Sequence, residues 1–145
     1  MLGSGAMTNS IDDVCRKADV VMLVGSNPEE AHPVIGMQLR AAVERGCRLI
    51  VVDPRDIGLA AQADLHLKLR PGTNVAFANG IVNVLLAEGL YDAEFVRERT
   101  EGIEVLAATV RDYTPARVAE ICDIDQRDLV SAAKMYGGAG AAAIV

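Results

Sequence analysis

The chain has no tryptophan, only two phenylalanines and only three tyrosines in its 145 residues. With 51% of residues apolar, its core must come from valine, isoleucine, leucine and alanine. The length suffices for one domain with a buried core. Positive charge is in deficit: 14 Lys and Arg against 20 Asp and Glu leave a net charge of −6, which argues against the basic footprint of a nucleic-acid-binding domain. No apolar run approaches the length that spans a bilayer. Met1-Leu2-Gly3-Ser4-Gly5 lacks the charged and apolar regions of a secretory signal, so a cytoplasmic protein without membrane contact is expected. Cysteine is scarce and scattered. Cys15, Cys47 and Cys122 lie far apart and form no Cys-x-x-Cys, which argues against a disulfide framework, an iron–sulfur site or a zinc site built from this segment alone. Cys47 and Cys122 read as small buried hydrophobes.

What is present is organised around Ala18 to Pro33, ADVVMLVGSNPEEAHP. Val20 to Val24 is an unbroken apolar run, as expected of a strand covered on both faces of a parallel sheet. Gly25-Ser26-Asn27-Pro28 breaks it. In open α/β sheets ligands bind beyond the carboxyl ends of strands, and this turn offers N–H groups, a hydroxyl and an amide suited to a nucleotide or phosphate. A structural reading competes: Asn27-x-x-Glu30 with Pro28 at the first helical position has the form of a capping box. The two roles can coexist at one turn.

Along the chain, Gly3-Ser4-Gly5 reads as loop, and Thr8, Asn9 and Ser10 as caps for a short helix from about Ile11 to Lys17. Pro33 starts a helix whose apolar residues are Val34, Met37, Leu39, Ala41, Ala42 and Val43, and Gly46 ends it. Cys47 to Val52 is a second apolar strand, so the first third is a β-α-β unit with parallel neighbouring strands. Asp53, at the end of that strand, suits either a ribose hydroxyl or an Asx-turn before Pro54. Arg55 can fork onto phosphate or neutralise Asp56. A short helix is expected from Ile57 to Ala63. In Asp64-Leu65-His66-Leu67-Lys68-Leu69-Arg70 the alternation marks a strand near an edge, with the leucines inward and His66 outward to solvent. His32, in a turn before a proline, has better access to a ligand.

Pro71-Gly72-Thr73-Asn74 is a third strand-end turn, with Asn74 the expected cap of a buried helix running to Gly89. Helices follow over 92–99, 103–111, 114–122 and 125–136, and Ala141 to Val145 reads as one more strand of the same sheet. The expected fold is α/β: a Rossmann-like parallel sheet with helices on both faces and a helical C-terminal half. Residues 1–73 form a βαβ nucleotide cradle, and 74–145 the helical half with a final strand.

The turns GSNPEEAHP, VVDPR and LRPGTN, at this spacing, resemble the molybdopterin-dinucleotide oxidoreductases, above all the formate dehydrogenase catalytic (alpha) subunits. The likeness continues through AEGLYDAEFVRERTEG (87–102), DYTPARVAEI (112–121) and DLVSAAKMYG (128–137), and includes Gly5-Ala6-Met7-Thr8-Asn9. The resemblance implies a molybdenum or tungsten ion on two pterin guanine dinucleotides, usually beside an iron–sulfur cluster, and oxidation of formate to carbon dioxide. It implies that Val24 to Ala31, with Gly25, Ser26, Asn27, Glu30 and the nearby His32, cradles one guanine dinucleotide. It likewise places Asp53-Pro54-Arg55 beside the guanosine end, and Gly72, Thr73 and Asn74 at the guanine. The family's metal-ligating cysteine or selenocysteine, usually followed by histidine, has no counterpart here, and neither has its cysteine-rich cluster motif. No residue of the chain is therefore assigned a catalytic or metal-binding role. The chain reads as an internal piece of a larger enzyme, inactive alone, whose partners would be the rest of its catalytic subunit and electron-transfer subunits. Its open sheet edge could also pair with another copy. Two other readings share parts of the pattern: the central domain of a thiamine-diphosphate enzyme, which lacks the Arg-Pro-Gly-Thr-Asn turn, and a NAD-binding unit, whose GxGxxG is missing.

Overall fold

The computed structural model describes residues 10–145; the Gly3-Ser4-Gly5 stretch and the Gly5 to Asn9 match lie outside them. Four strands, β1 (Val20–Val24), β2 (Arg48–Val52), β3 (Leu65–Leu67) and β4 (Ala142–Ile144), form one sheet in the order β3-β2-β1-β4. All pairings are parallel, with Val20 to Val24 opposite Arg48 to Val52. The expected neighbours and the joining of the last strand are as observed.

Residue parity explains the unbroken apolar runs. Val20, Met22, Ile50, Val52 and Leu67 point to one face, where α3 (Asn74–Ala87), α6 (Pro115–Cys122) and α7 (Gln126–Gly137) bury them with Phe77, Ile81, Val118 and Leu129. Val21, Leu23, Leu49 and Val51 point to the other. There a short π-type helix (Asp13–Lys17), α2 (Pro33–Glu44) and a 3-10 turn (Gly58–Gln62) cover them with Val14, Leu39 and Leu59. A strand sandwiched this way has no polar face to alternate with.

Several helix starts obey local chemistry. Ser10 Oγ accepts from Asp13 N at 3.1 Å, while the Asp13 carboxylate accepts from Ser10 N at 3.3 Å. The Asp92, Thr114 and Asp125 side chains accept from the N–H groups of Phe95, Arg117 and Arg127, starting α4 (Ala93–Arg99), α6 and α7. Helix α5 (Ile103–Val110) follows Gly102, which sits at φ +79°.

Two expectations are corrected here. In α2 the buried residues are Gly36, Leu39 and Ala42, whereas Val34 and Met37 are exposed. The reason is the tight corner with α1 (Pro28–Ala31): a Cβ on Gly36 would stand 2.8 Å from the Glu29 Cα. It is therefore the side of the missing side chain that α2 turns inward. Cys47, expected inside, is half-buried at the mouth of β2, unlike Cys122 and Cys15.

Candidate functional site

The three predicted turns emerge side by side at the carboxyl ends of β1, β2 and β3. Gly25, Asp53, Pro54, Arg55, Gly72 and Asn74 line one cleft of about 290 Å³, with Val52, Leu69, Arg70 and Pro71. Gly25 N–H donates to Val52 O at 2.9 Å, tying the first turn to the second. Gly25 (φ +61°) and Gly72 (φ +87°) hold left-handed conformations, and a Cβ at either would meet nothing within 4 Å. They are glycines for the turn they make, and they leave bare backbone beside open space.

The first turn departs from the capping box. Asn27 carries φ −116° and ψ 82°, and its side chain makes no cap hydrogen bond. Its carbonyl accepts the first helical bonds, from Glu30 N at 3.2 Å and Ala31 N at 3.0 Å. Its Oδ1 is buried and has no hydrogen-bond partner among the described residues. A buried acceptor without a donor is costly. Glu30 is exposed and closes no box. Ser26 and His32 line a separate cavity of about 300 Å³ with Ile11, Val14, Cys15, Ile35 and Val145, against the other face of the sheet. The predicted set is thus split, with Ser26 and His32 away from the cleft shared by the three turns.

The second turn is the most constrained. Asp53 is 1% exposed. Its Oδ1 accepts from Arg55 N at 2.8 Å and Arg55 Nε at 2.9 Å, and its Oδ2 accepts from Arg55 NH2 at 2.8 Å. The Asx-turn is therefore present, and a bidentate ion pair is built on it. The Arg55 hydrogen bonds hold the Asp53 carboxyl below the usual carboxylate range, and the same contact raises the Arg55 guanidinium. Arg55 pairs with Asp53 and not with Asp56, which is instead 2.6 Å from Lys68 Nζ. Hydrogen bonding to Lys68 lowers the Asp56 carboxyl. The Asp53 oxygens that could have read a ribose or base are engaged within the protein.

His66 is the main correction. It does not face solvent: its side chain is 17% exposed, and Nε2 lies 2.9 Å from Asp53 O. The 53–56 loop folds over the outward face of β3. Alternation within β3 could not reveal that cover, because the cover comes from the neighbouring strand's turn.

In the third turn Thr73, not Asn74, is the residue before the helix, and its hydroxyl donates to Arg70 O at 2.6 Å instead of capping. The Cys122 thiol, 3.7 Å from Thr73 O, supports the same turn from below. Asn74 is exposed at the cleft. Arg70 stands in the LRPGTN turn but was given no ligand role, yet it lines the cleft, with its guanidinium 3.8 Å from Asp123. Its place directly before Pro71-Gly72 was the available signal. The cleft thus has two arginines at its rim, 60% and 56% exposed, over a floor that includes buried Val52 and Leu69. That arrangement suits an apolar ring lying flat and an anion beside it.

A wider cavity of about 570 Å³ opens at the amino ends of the strands, among Arg16, Lys17, Arg45, Arg48 and Lys134. Four of these cations are already paired, with Asp12, Asp13, Asp64 and Glu88, and Arg45 donates to Cys15 O. Ligands of open α/β sheets bind at the other edge, so the smaller cleft is the candidate site. Among the described residues no group of three or more His, Cys, Asp or Glu could hold a metal ion.

Comparison with known proteins bears on the family of the chain. The family model for molybdopterin oxidoreductases matches residues 3–144. An F420-dependent formate dehydrogenase 1 alpha subunit of Methanococcus maripaludis is 48% identical over 143 residues, 99% of this chain and 21% of that protein. Formate dehydrogenase H of Escherichia coli is 39% identical, over 99% of this chain and 20% of its own length. The solved acetylene hydratase of Pelobacter acetylenicus superposes with a TM-score of 0.83 at 38% identity, covering 88% of this chain and 18% of that one. The chain thus spans about a fifth of the length of the curated relatives it matches. The match supports neither the thiamine-diphosphate nor the NAD-binding reading.

Proposed function

The chain belongs to the molybdopterin oxidoreductase family, and on that premise we propose that it forms part of the cradle for a molybdopterin guanine dinucleotide in a formate dehydrogenase-like enzyme. The observation that carries the reading is the convergence of three strand-end turns on one cleft. The residues there fit such a group. Bare backbone at Gly25 and Gly72 admits close approach, and Arg55 and Arg70 suit its pyrophosphate. When bound, the cofactor supplies two-electron chemistry at molybdenum or tungsten. The chain's own residues hold and orient its nucleotide end.

The formate assignment rests on similarity to alpha subunits at 43–48% identity. A shared cradle does not fix the reaction: an acetylene hydratase of Syntrophotalea acetylenica is 43% identical to this chain as well. We assign the reaction centre, an iron–sulfur cluster and the grip on a second pterin to other parts of the enzyme, and no formate turnover to this chain alone. Its partners on this reading are the rest of the catalytic subunit and electron-transfer subunits, in the cytoplasm, with self-pairing at an open sheet edge as the contact of the isolated chain.

The base-reading group is Asn74, since the Asp53 oxygens are occupied. A carboxamide offers one acceptor and one donor edge, so by turning over it can meet either guanine or adenine. A carboxylate only accepts, which suits the N1–H and amino group of guanine and opposes N1 of adenine. Asn74→Asp is expected to raise the GMP-over-AMP preference by about tenfold, the cost of one mismatched polar edge. Titration of both nucleotides against wild type, Asn74→Asp and Asn74→Ala checks it. An unchanged ratio in both variants would remove Asn74 from the site.

A further inference from the structure

The structure assigns His66 the part of a positioning residue for the Arg55 guanidinium, acting through the backbone of Asp53. This rests on the nucleotide reading of the cleft. The β2–β3 ladder ends at the pair Val52↔Leu67, so the Asp53 carbonyl lies one residue past the last strand partner. His66, opposite Val51 in the ladder, reaches forward along the edge and puts Nε2 2.9 Å from that carbonyl. A carbonyl only accepts, so the Nε2–H must donate.

Asp53 is then held at both ends. Its carbonyl is fixed by His66, and its carboxylate is fixed by the Arg55 backbone N–H and guanidinium. Between Asp53 and Arg55 stands Pro54, which has no N–H to contribute and a locked φ. The turn has few ways to relax, and the Arg55 fork is carried in one orientation at the cleft rim. On its other side the ring faces Asp56, with Nδ1 3.9 Å from Oδ1, and Asp56 is itself held by Lys68. Preorganisation of this kind raises affinity by removing the ordering cost of binding.

The experiment compares the chain with His66→Gln, whose side-chain amide N–H has a similar reach, and with His66→Asn and His66→Leu, which cannot reach the carbonyl. Three quantities are read: the ring tautomer from 15N shifts at pH 8, solvent exchange of the Arg55 Nε–H, and GMP affinity. The expected result is a protonated Nε2 in wild type. His66→Gln should stay within about twofold of wild type. His66→Asn and His66→Leu should lose about threefold to tenfold in GMP affinity with faster Arg55 exchange, the effect of one neutral hydrogen bond. An Nε2 without its proton at pH 8 overturns the assignment even if a variant fails to fold. So does a Gln variant as impaired as Leu, which would assign the effect to ring packing. Should wild type bind no GMP, the nucleotide reading fails, and the exchange data alone decide the role of His66.

Discussion

Leu129→Ala is expected to lower the unfolding free energy by about 2–5 kcal/mol, in one transition seen alike by strand and helix signals. Leu129 is 0% exposed. It sits on α7 in the cluster that also holds Val20, Met22, Ile50, Val52, Phe77 and Val118, a core shared by the sheet and the helical half. The site is poorly able to collapse. Its neighbour across the gap is Gly80, where even a Cβ would lie 2.9 Å from Val118 and 3.2 Å from Leu129. Gly80 has no side chain with which to fill the hole. Against a typical domain stability of about 5–15 kcal/mol the loss is large. Urea denaturation followed by far-ultraviolet circular dichroism and by amide signals of β1 and β2 checks it. A cost under about 1 kcal/mol, or separate transitions for residues 1–73 and 74–145, would show that the two halves do not share a core.

Asp53→Asn is expected to cost about 1–3 kcal/mol at pH 7, with a cost that disappears in acid. Asparagine can still accept the Arg55 backbone N–H, but it leaves the guanidinium facing a neutral amide. The pH dependence follows from the direction of the shift. The Asp53 carboxyl is held below its ordinary value of 3.8 by Arg55. The wild-type advantage is therefore fully present above that value and is lost as the pH falls through the depressed folded one. Stability curves of the two proteins should run parallel from pH 8 to pH 5 and converge below about pH 4. A constant gap down to pH 2 would mean that the penalty comes from packing of the amide and not from the ion pair.

The sheet was readable because burial on both faces writes itself into sequence as unbroken apolar runs, and Val20 to Val24 and Leu49 to Val52 carry them. The helix starts at 92, 114 and 125 were equally plain, and the Asp92, Thr114 and Asp125 side chains each accept from a backbone N–H two or three residues on. What escaped was set by contacts distant in sequence. The outward side of His66 is covered by a loop 10 to 13 residues earlier. The inward side of α2 is chosen by the absence of a side chain at Gly36, against which Val34 and Met37 had no vote. Arg55 had acids on either side of Pro54, and only the fold decided that the buried one holds it while Lys68 takes the other. At Asn27 the residue types of a capping box are all present and the backbone angles are not. The same three turns were located correctly in sequence, yet the division of their residues between two faces of the sheet needed the tertiary structure.

The measurement that bears most directly on the cradle is amide chemical-shift mapping of the chain titrated with GDP. The account predicts shifts concentrated at residues 25, 53–55, 70–72 and 74, the walls of the carboxyl-edge cleft. Shifts confined to the α4–α7 helices, or to the arginine-lined cavity at the amino ends of the strands, would contradict it.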